Sequence, residues 1–360
     1  MMKVLDRYIL RAFFTNFFIA LTVMIGIYVV LDLFVNLDEF TKLPSDTGWD
    51  IAKKIITFYA YNLFLYFSQL AGVVILAAAC FTLARFHRAN ELTPVLASGT
   101  SLYRVALPIM VAAVGLNLAW LANQELVIPR IADKLARKHD DTEGRMTYGV
   151  WFRPDRDRAL LSAGQFSPSR REMRNVLILK RDEQVRLTDV IQADIATWDE
   201  ERQVWNLENG SMSRYGAEGG ESVVRQSTPE YPSELTPKEL ALQQASQWTN
   251  YLSLPELGRL QQRFPQTSEF VKVKHVRLTT IPLNMLLLML GIPFFLTRER
   301  PNILVAGGKC LAVCGACFVM MFVSQNVDVG GFSINPALPA WVPVMLFAPA
   351  AVLLMDGIRT

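Results

Sequence analysis

No nucleotide-binding loop is present in this sequence. The nearest string, Ala306-Gly-Gly-Lys309, runs into Cys310 and lacks the earlier glycine that a phosphate-cradling P-loop needs, so the chain cannot hydrolyse ATP by itself. The three histidines, His87, His139 and His275, stand apart, with no His-Glu-x-x-His pair, and no Gly-x-Ser-x-Gly elbow occurs. Zinc-dependent and serine hydrolysis therefore lack their residues, and neither a metal site, a cofactor nor an enzymatic activity is expected. Cysteine is scarce: Cys80, Cys310, Cys314 and Cys317 all lie in apolar runs, which leaves the polar part of the chain without a disulfide framework. The net charge of +3, with cations spread along the chain, excludes a strongly basic nucleic-acid binder.

A further absence is the most informative. The runs Ala12 to Leu31, Ile55 to Ala84, Val105 to Gln124, Leu278 to Thr297, Cys310 to Val327 and Val329 to Met355 contain no Asp, Glu, Lys, Arg or His. Each is at or near the roughly 18–20 residues that cross a bilayer as a helix. Proton relays and intramembrane proteases need ionisable groups at membrane depth, and these runs offer none. The fold class read from this pattern is a membrane α-helical protein with six transmembrane helices in a 3+3 arrangement, interrupted by a soluble domain. Residues 1–129 hold the first three spans, 130–270 the inserted domain with its connecting helices, and 271–360 the last three spans. The mean hydropathy of +0.24 averages a membrane part with a solvated one.

Basic residues orient the spans. Lys3, Arg7 and Arg11 precede the first run, Arg85, Arg88 and Arg104 separate the second and third, and Arg298, Arg300 and Lys309 separate the fourth and fifth, with Arg359 at the end. The positive-inside rule places these segments in the cytoplasm, whereas the cation-free connection from Asp328 to Pro339 faces out. Both termini are then cytoplasmic, the inserted domain is periplasmic, and the first run is a signal anchor, too long for a signal-peptide core. Between Glu125 and Arg277 the chain carries 23 basic and 23 acidic residues, so the inserted domain is electrically balanced.

That segment starts helically over Glu125 to Lys138 and then changes period. Short strands are predicted at 149–153, 159–162, 175–180 and 186–198, and a return strand from Gln203 to Glu208 ends at Asn209-Gly210. Ile191, Ala193 and Ile195 alternate with Gln192, Asp194 and Ala196. Repeated short strands of this kind suggest a sandwich or jelly-roll, an all-β domain. Two capping boxes, Thr236-Pro-Lys-Glu239 and Ser253-Leu-Pro-Glu256, then start helices that lead back to the membrane, along a path crowded by Arg259, Arg263, Lys272, Lys274 and Arg277.

Two patterns in the membrane part admit more than one reading. Cys310, Cys314 and Cys317 reproduce a C-x3-C-x2-C spacing, yet offsets of 4 and 7 put all three on one helical face, as packing residues would be, rather than on a loop that can wrap a cluster. The loop from Arg85 to Arg104 carries a single acidic residue, Glu91, then runs Leu92 to Ala97 at helical spacing before Ser98-Gly99. A short helix over about 86–99 fits, either packed on the spans or serving as a knob for a partner's groove.

The string Asn90-Glu-Leu-Thr-Pro-Val-Leu-Ala-Ser-Gly99 resembles the signature of the lipopolysaccharide export permeases, the LptF/LptG (YjgP/YjgQ) family. Matching segments follow in family order along nearly the whole chain: Val4-Leu-Asp-Arg-Tyr-Ile9, Glu125-Leu-Val-Ile-Pro129, Gly149-Val-Trp-Phe-Arg153, Trp205-Asn-Leu-Glu-Asn-Gly210 and Ile292-Pro-Phe-Phe295. The first of these is more similar to the LptG branch.

The resemblance implies a bacterial inner-membrane ABC transporter permease. It pairs with a second LptF-like permease, or a second copy of itself, and with a cytoplasmic ABC ATPase dimer. Lipopolysaccharide or a related glycolipid is extracted from the membrane, and the periplasmic jelly-roll hands it to a bridge of like-folded proteins. The coupling helix that meets the ATPase maps onto Glu91, with Arg88, Leu92, Ala97, Ser98 and Gly99 around it. A lipid lumen walled by spans one and five would include Phe13, Phe17 and Cys314, with Lys42 as the cation near its outer end. Asp32, Asp38 and Glu39 stand where the family carries several basic residues for phosphate, which leaves the cargo open. Two other readings fit the same layout: a non-transporting scaffold or sensor whose β domain binds a periplasmic partner, and an ABC permease for another lipid or for lipoproteins.

Overall fold

The computed structural model describes residues 4–40, 48–136, 147–182, 184, 186–215, 225–242, 248–263, 268–297, 302–326 and 335–357. Two compact units result: Met1–Asp38, Ile55–Ile131 and Thr249–Thr360 form a helical unit, and Glu39–Lys54 with Ala132–Trp248 form a second, β-rich one.

The helical unit contains all six expected spans. They belong to α1 (Val4–Phe40), α2 (Gly48–Arg88), α4 (Leu102–Ala122), α8 (Ser268–Phe295), α9 (Ile303–Asn326) and α10 (Leu338–Asp356), each long and apolar enough to cross a bilayer. Two of these helices far outrun their apolar stretches. At 37 and 41 residues, α1 and α2 are roughly 55–60 Å long against a hydrocarbon core of about 30 Å, because a helix needs no apolar side chains once it leaves the lipid. The sixth span, by contrast, begins only at Leu338, where the Asn335 side chain accepts the Ala337 N–H at 3.0 Å and Pro339 occupies the first turn. Residues 329–334 of the expected run lie outside the described residues.

Apolar burial is uneven among the spans. Of the most apolar window in each, 39% is buried in α2, 44% in the third span and 56% in α8, against 11%, 22% and 17% in α1, α9 and α10. The centre is made by small residues and one polar contact. An added Cβ on Gly72 would sit 2.2 Å from Asn284 Oδ1, and one on Gly291 would sit 2.4 Å from Leu76 Cδ1, so α2 and α8 touch at both glycines. Asn284 Nδ2 donates to Asn117 Oδ1 at 2.8 Å, a buried bond between α8 and α4. Gly72 and its neighbours Ala78 and Ala79, small residues whose packing partners the sequence leaves open, are thus used inside the chain. Cys310, Cys314 and Cys317 are likewise buried packing residues on one face of α9, with Cys310 Sγ 3.7 Å from Cys80 Sγ on α2.

The β unit is an antiparallel sheet in which β1 (Tyr148–Pro154), β2 (Leu160–Ser167), β3 (Glu172–Arg181), β4 (Leu187–Asp199) and β5 (Val204–Glu208) pair in chain order, followed by β8 (Glu230–Pro232). The inserted all-β domain is therefore present. Trp205, Phe166, Met173 and Leu161 are fully buried at its centre. Two details differ from the expectation. Ile191 and Ala193 point inward, but Ile195 does not; Ala196 and Trp198 do. The change falls on one row across the sheet, Gly164 opposite Asn175 opposite Asp194 opposite Asn209, where both asparagines are left-handed (φ 53° and 55°). Each strand steps by three instead of two at this row, so its inward parity reverses.

The second difference is that the sheet edge does not stop with β5, which ends at Glu208 as expected. β6 (Ser211–Arg214) continues on the same edge of β4 in unbroken register. Gly210 is required at the join, since a Cβ there would lie 2.1 Å from Thr228 O, whose own amide donates back to Gly210 O at 3.0 Å. β7 (Arg225–Ser227) pairs with β6. α6 (Pro237–Leu242) and α7 (Leu254–Arg263) start as the two capping boxes dictate: Thr236 N–H donates to Glu239 Oε2 at 3.0 Å, and Ser253 N–H to Glu256 Oε2 at 2.7 Å.

Candidate functional site

One end of the helical unit gathers the start of α1, the end of α2, the start of α4 and the ends of α8 and α10. Here α2 stops at Arg88 and the chain turns sharply. Asn90 adopts a left-handed φ of 59°, and the amides of Ala89, Asn90 and Glu91 bond back to Arg85, His87 and Phe86 carbonyls. The helix expected over about 86–99 is accordingly shorter. Residues 86–88 finish α2, and a separate α3 spans Leu92–Ala97. Gly99, at φ 76°, donates its amide to Leu96 O at 3.0 Å and ends it, while Ser98 N bonds Pro94 O at 3.1 Å.

α3 has two faces. Leu92 is 4% exposed, and Val95 and Leu96 pack on the apolar core. Thr93, Pro94, Ala97, Ser98 and Gly99 are exposed, as is Arg88. Glu91 is half-buried, and Tyr8 donates its hydroxyl to Glu91 Oε2 at 2.8 Å. The Tyr8 ring stacks on Phe86, with centroids 5.7 Å apart and planes 19° from parallel. Beside it Arg104 Nη2 meets Asp6 Oδ2 at 2.9 Å, which ties the start of α4 to the start of α1. Leu5, Tyr8, Ile9, Phe86, Glu91 and Val105 line a shallow recess under α3. His87 Nε2 donates to Phe295 O at 2.6 Å and Tyr103 OH to Met355 O at 2.5 Å, so the ends of α8 and α10 join the same assembly.

The residues expected on the coupling helix are thus close together, with Leu92 buried, Glu91 half-buried and Arg88, Ala97, Ser98 and Gly99 exposed. The residues expected at the lumen wall lie inside the helical unit. Phe13 is 0% exposed, Phe17 3% and Cys314 3%, all packed within the chain's own core, and Cys314 Sγ lies 3.7 Å from Leu287 O on α8. On α1 the neighbouring Phe14 and Phe18 point away from the core instead, as do Tyr28 and Phe34. Phenylalanines in tandem, as at 13–14 and 17–18, do not reveal from sequence which one faces inward. Lys42 lies outside the described residues. Asp32, one of the acidic residues toward the C-terminal end of α1, accepts hydrogen bonds from Tyr59 OH at 2.8 Å and from Asn36 Nδ2 at 3.0 Å.

The opposite end holds a second polar assembly. The third span ends in a π-helical turn, Asn123–Val127, before α5 (Ile128–Leu135). The wider turn swings Glu125 toward Arg277 on α8. Arg277 is 4% exposed at its side chain and donates to Glu125 Oε1 at 3.0 Å, Leu252 O at 2.6 Å and Asn250 O at 3.2 Å. Glu125 Oε2 accepts the amide of Leu254 at 2.8 Å, and Gln124 Nε2 donates to Asn250 O at 2.9 Å. The charges are paired and each makes further hydrogen bonds, which is the condition under which a buried ion pair is tolerated. Reading the sequence alone places Arg277 in a basic crowd and Glu125 in a motif; their pairing spans 152 positions and leaves no local signal. Asp6 and Tyr8 are similarly missed, although both sit in the Val4–Ile9 segment that carries part of the resemblance.

A comparison with curated proteins returned no match. The family description "Lipopolysaccharide export system permease LptF/LptG" matches residues 7–356, which takes in all six spans apart from the first residues of α1, the β unit between them and the α3 corner. With nearly its whole length matched in the order the fold requires, the chain belongs to the LptF/LptG family of lipopolysaccharide export system permeases, multi-pass proteins of the inner membrane.

Proposed function

We propose that the chain is one permease subunit of an ATP-driven exporter that lifts lipopolysaccharide, or a related glycolipid, out of the inner membrane. It is the LptG-like member of a pair, docked on a cytoplasmic ATPase dimer. Residues 1–129 and 271–360 form the membrane part. The 130–270 segment is the periplasmic β domain that passes the lipid to a like-folded bridge, and both termini are cytoplasmic.

The observation that carries this reading is α3. A six-residue helix with an exposed Thr93, Pro94, Ala97, Ser98 and Gly99 face stands at the end rich in Arg85, Arg88 and Arg104, on a chain that has no ATP site of its own. Glu91 beside it is an acceptor for a basic group of the ATPase. The weak burial of α1, α9 and α10 supports a second permease and the lipid as what covers them.

The test is purification of the assembly from its own membrane in mild detergent, followed by native mass spectrometry. Two permease chains, two copies of a P-loop ATPase and a retained glycolipid are expected. A chain recovered with a periplasmic protein alone would instead support the scaffold reading.

A further inference from the structure

We infer that Tyr8, with Asp6, is a positioning residue that delivers the displacement of α3 to α1, so that the first span moves as one lever when the ATPase acts. This rests on the reading of α3 as the docking helix. Of the six residues in α3, Leu92 is the one that is buried, with Val95 and Leu96 partly buried on the core, and Leu5, Tyr8 and Ile9 of α1 share the recess that Leu92 and Val95 line. Tyr8 OH donates to Glu91 Oε2 at 2.8 Å, and its ring lies on Phe86 at the end of α2. Asp6, two residues earlier, takes Arg104 at the point where the chain leaves α3 for α4. The residue before α3 and the first turn of α4 after it are therefore bonded to the first two turns of α1.

The geometry of α1 makes such a tie effective. It runs unbroken from Val4 to Phe40, with no proline. A helix of that length has nowhere to absorb a push at its start, because kinks need proline, a π-bulge or an inserted group. It is also the least buried span, and in mid-course Asn16 Nδ2 donates to Thr82 Oγ1 on α2 at 2.9 Å. At its far end Tyr28 lies against Tyr66, with centroids 4.4 Å apart, and Asp32 accepts from Tyr59. A tilt about the Asn16 contact carries a displacement at Tyr8 to this outer end, where the span is otherwise open to lipid or a partner. Packed helices move as rigid bodies in this way, sliding or pivoting on their neighbours.

The experiment uses the full permease–ATPase complex in vesicles of phosphatidylethanolamine, phosphatidylglycerol and lipopolysaccharide. It measures ATPase association, ATP turnover and lipid released per ATP. Tyr8→Phe removes the hydroxyl and keeps the ring on Phe86, and the exposed α3 face is untouched. Association and turnover are expected to stay at wild-type levels, while lipid released per ATP falls by about threefold or more. A merely structural role would lower yield and melting temperature and leave that ratio unchanged. Asp6→Arg combined with Arg104→Asp should recover a ratio that Asp6→Arg alone loses. Tyr8→Phe with a wild-type ratio overturns the inference, and so does Tyr8→Phe that loses the ATPase. Glu91→Gln, which still accepts from Tyr8 but has no charge for the ATPase, tests the docking reading separately: its failure to weaken association would count against that reading and not against the tie.

Discussion

Replacing Arg277 by Met is expected to destabilise the protein by about 3–5 kcal/mol, the usual consequence of removing one partner of a buried ion pair. The size follows from what Arg277 leaves behind. Glu125, 17% exposed at its side chain, would be left with the Leu254 amide as its donor, the Leu252 carbonyl would lose the Arg277 donor, and the Asn250 carbonyl would keep only Gln124. Met fills a similar volume, so the effect reports the lost polar contacts and not a cavity. Arg277→Lys would keep the positive charge but not the planar fork that reaches three acceptors at once, and should fall between Arg277→Met and the wild type. Thermal unfolding in detergent gives the ranking. Hydrogen exchange gives the location: the Leu254 amide should lose protection first, because Glu125 needs Arg277 to hold it in place.

Glu91→Lys is expected to have the largest effect on function while leaving the fold intact. Glu91 is half-buried at a turn and contributes no apolar surface to the core, so membrane insertion and the packing of Leu92 should persist. Lysine cannot accept from Tyr8, and it places a cation where a basic group of the ATPase is expected. A charge-assisted hydrogen bond is worth about 1.5–3 kcal/mol, so affinity for the ATPase should fall by roughly tenfold or more. Affinity measured for the detergent-solubilised permease pair against added ATPase checks it. Unchanged affinity with unchanged coupled turnover would remove Glu91 from the interface.

How much of this was legible in the sequence depends on whether the cause is local. The spans were legible because the absence of ionisable residues over about 20 positions is a local demand of the bilayer. The capping boxes at Thr236 and Ser253, and the end of α3 at Ser98-Gly99, were legible for the same reason: three or four neighbouring residues satisfy one another's backbone groups. The reversal of inward parity at Asn175 and Asp194 was not, because it depends on four strands aligning their irregularities in one row. Asp6 with Arg104, Asn117 with Asn284 and Glu125 with Arg277 are pairs of distant residues, each ordinary in its own segment. The burial of Phe13 and Phe17 within the chain was not legible either. Spacing marks α1 as apolar all round, and a helix that is apolar all round does not show which side meets its own chain and which meets lipid.

Asp32 has a structural occupation, with Tyr59 and Asn36 as donors, so its carboxylate is engaged within the chain. Residues 41–47, including Lys42, lie outside the described residues, and the cargo must be identified chemically.

The most direct test of the proposed export activity is transfer of lipopolysaccharide from proteoliposomes, carrying this chain with its partner permease and ATPase, to a soluble periplasmic acceptor. Release that requires ATP hydrolysis, and that Glu91→Lys abolishes, is the expected result. A complex that hydrolyses ATP at a steady rate yet delivers neither lipopolysaccharide nor any other glycolipid to the acceptor would contradict it.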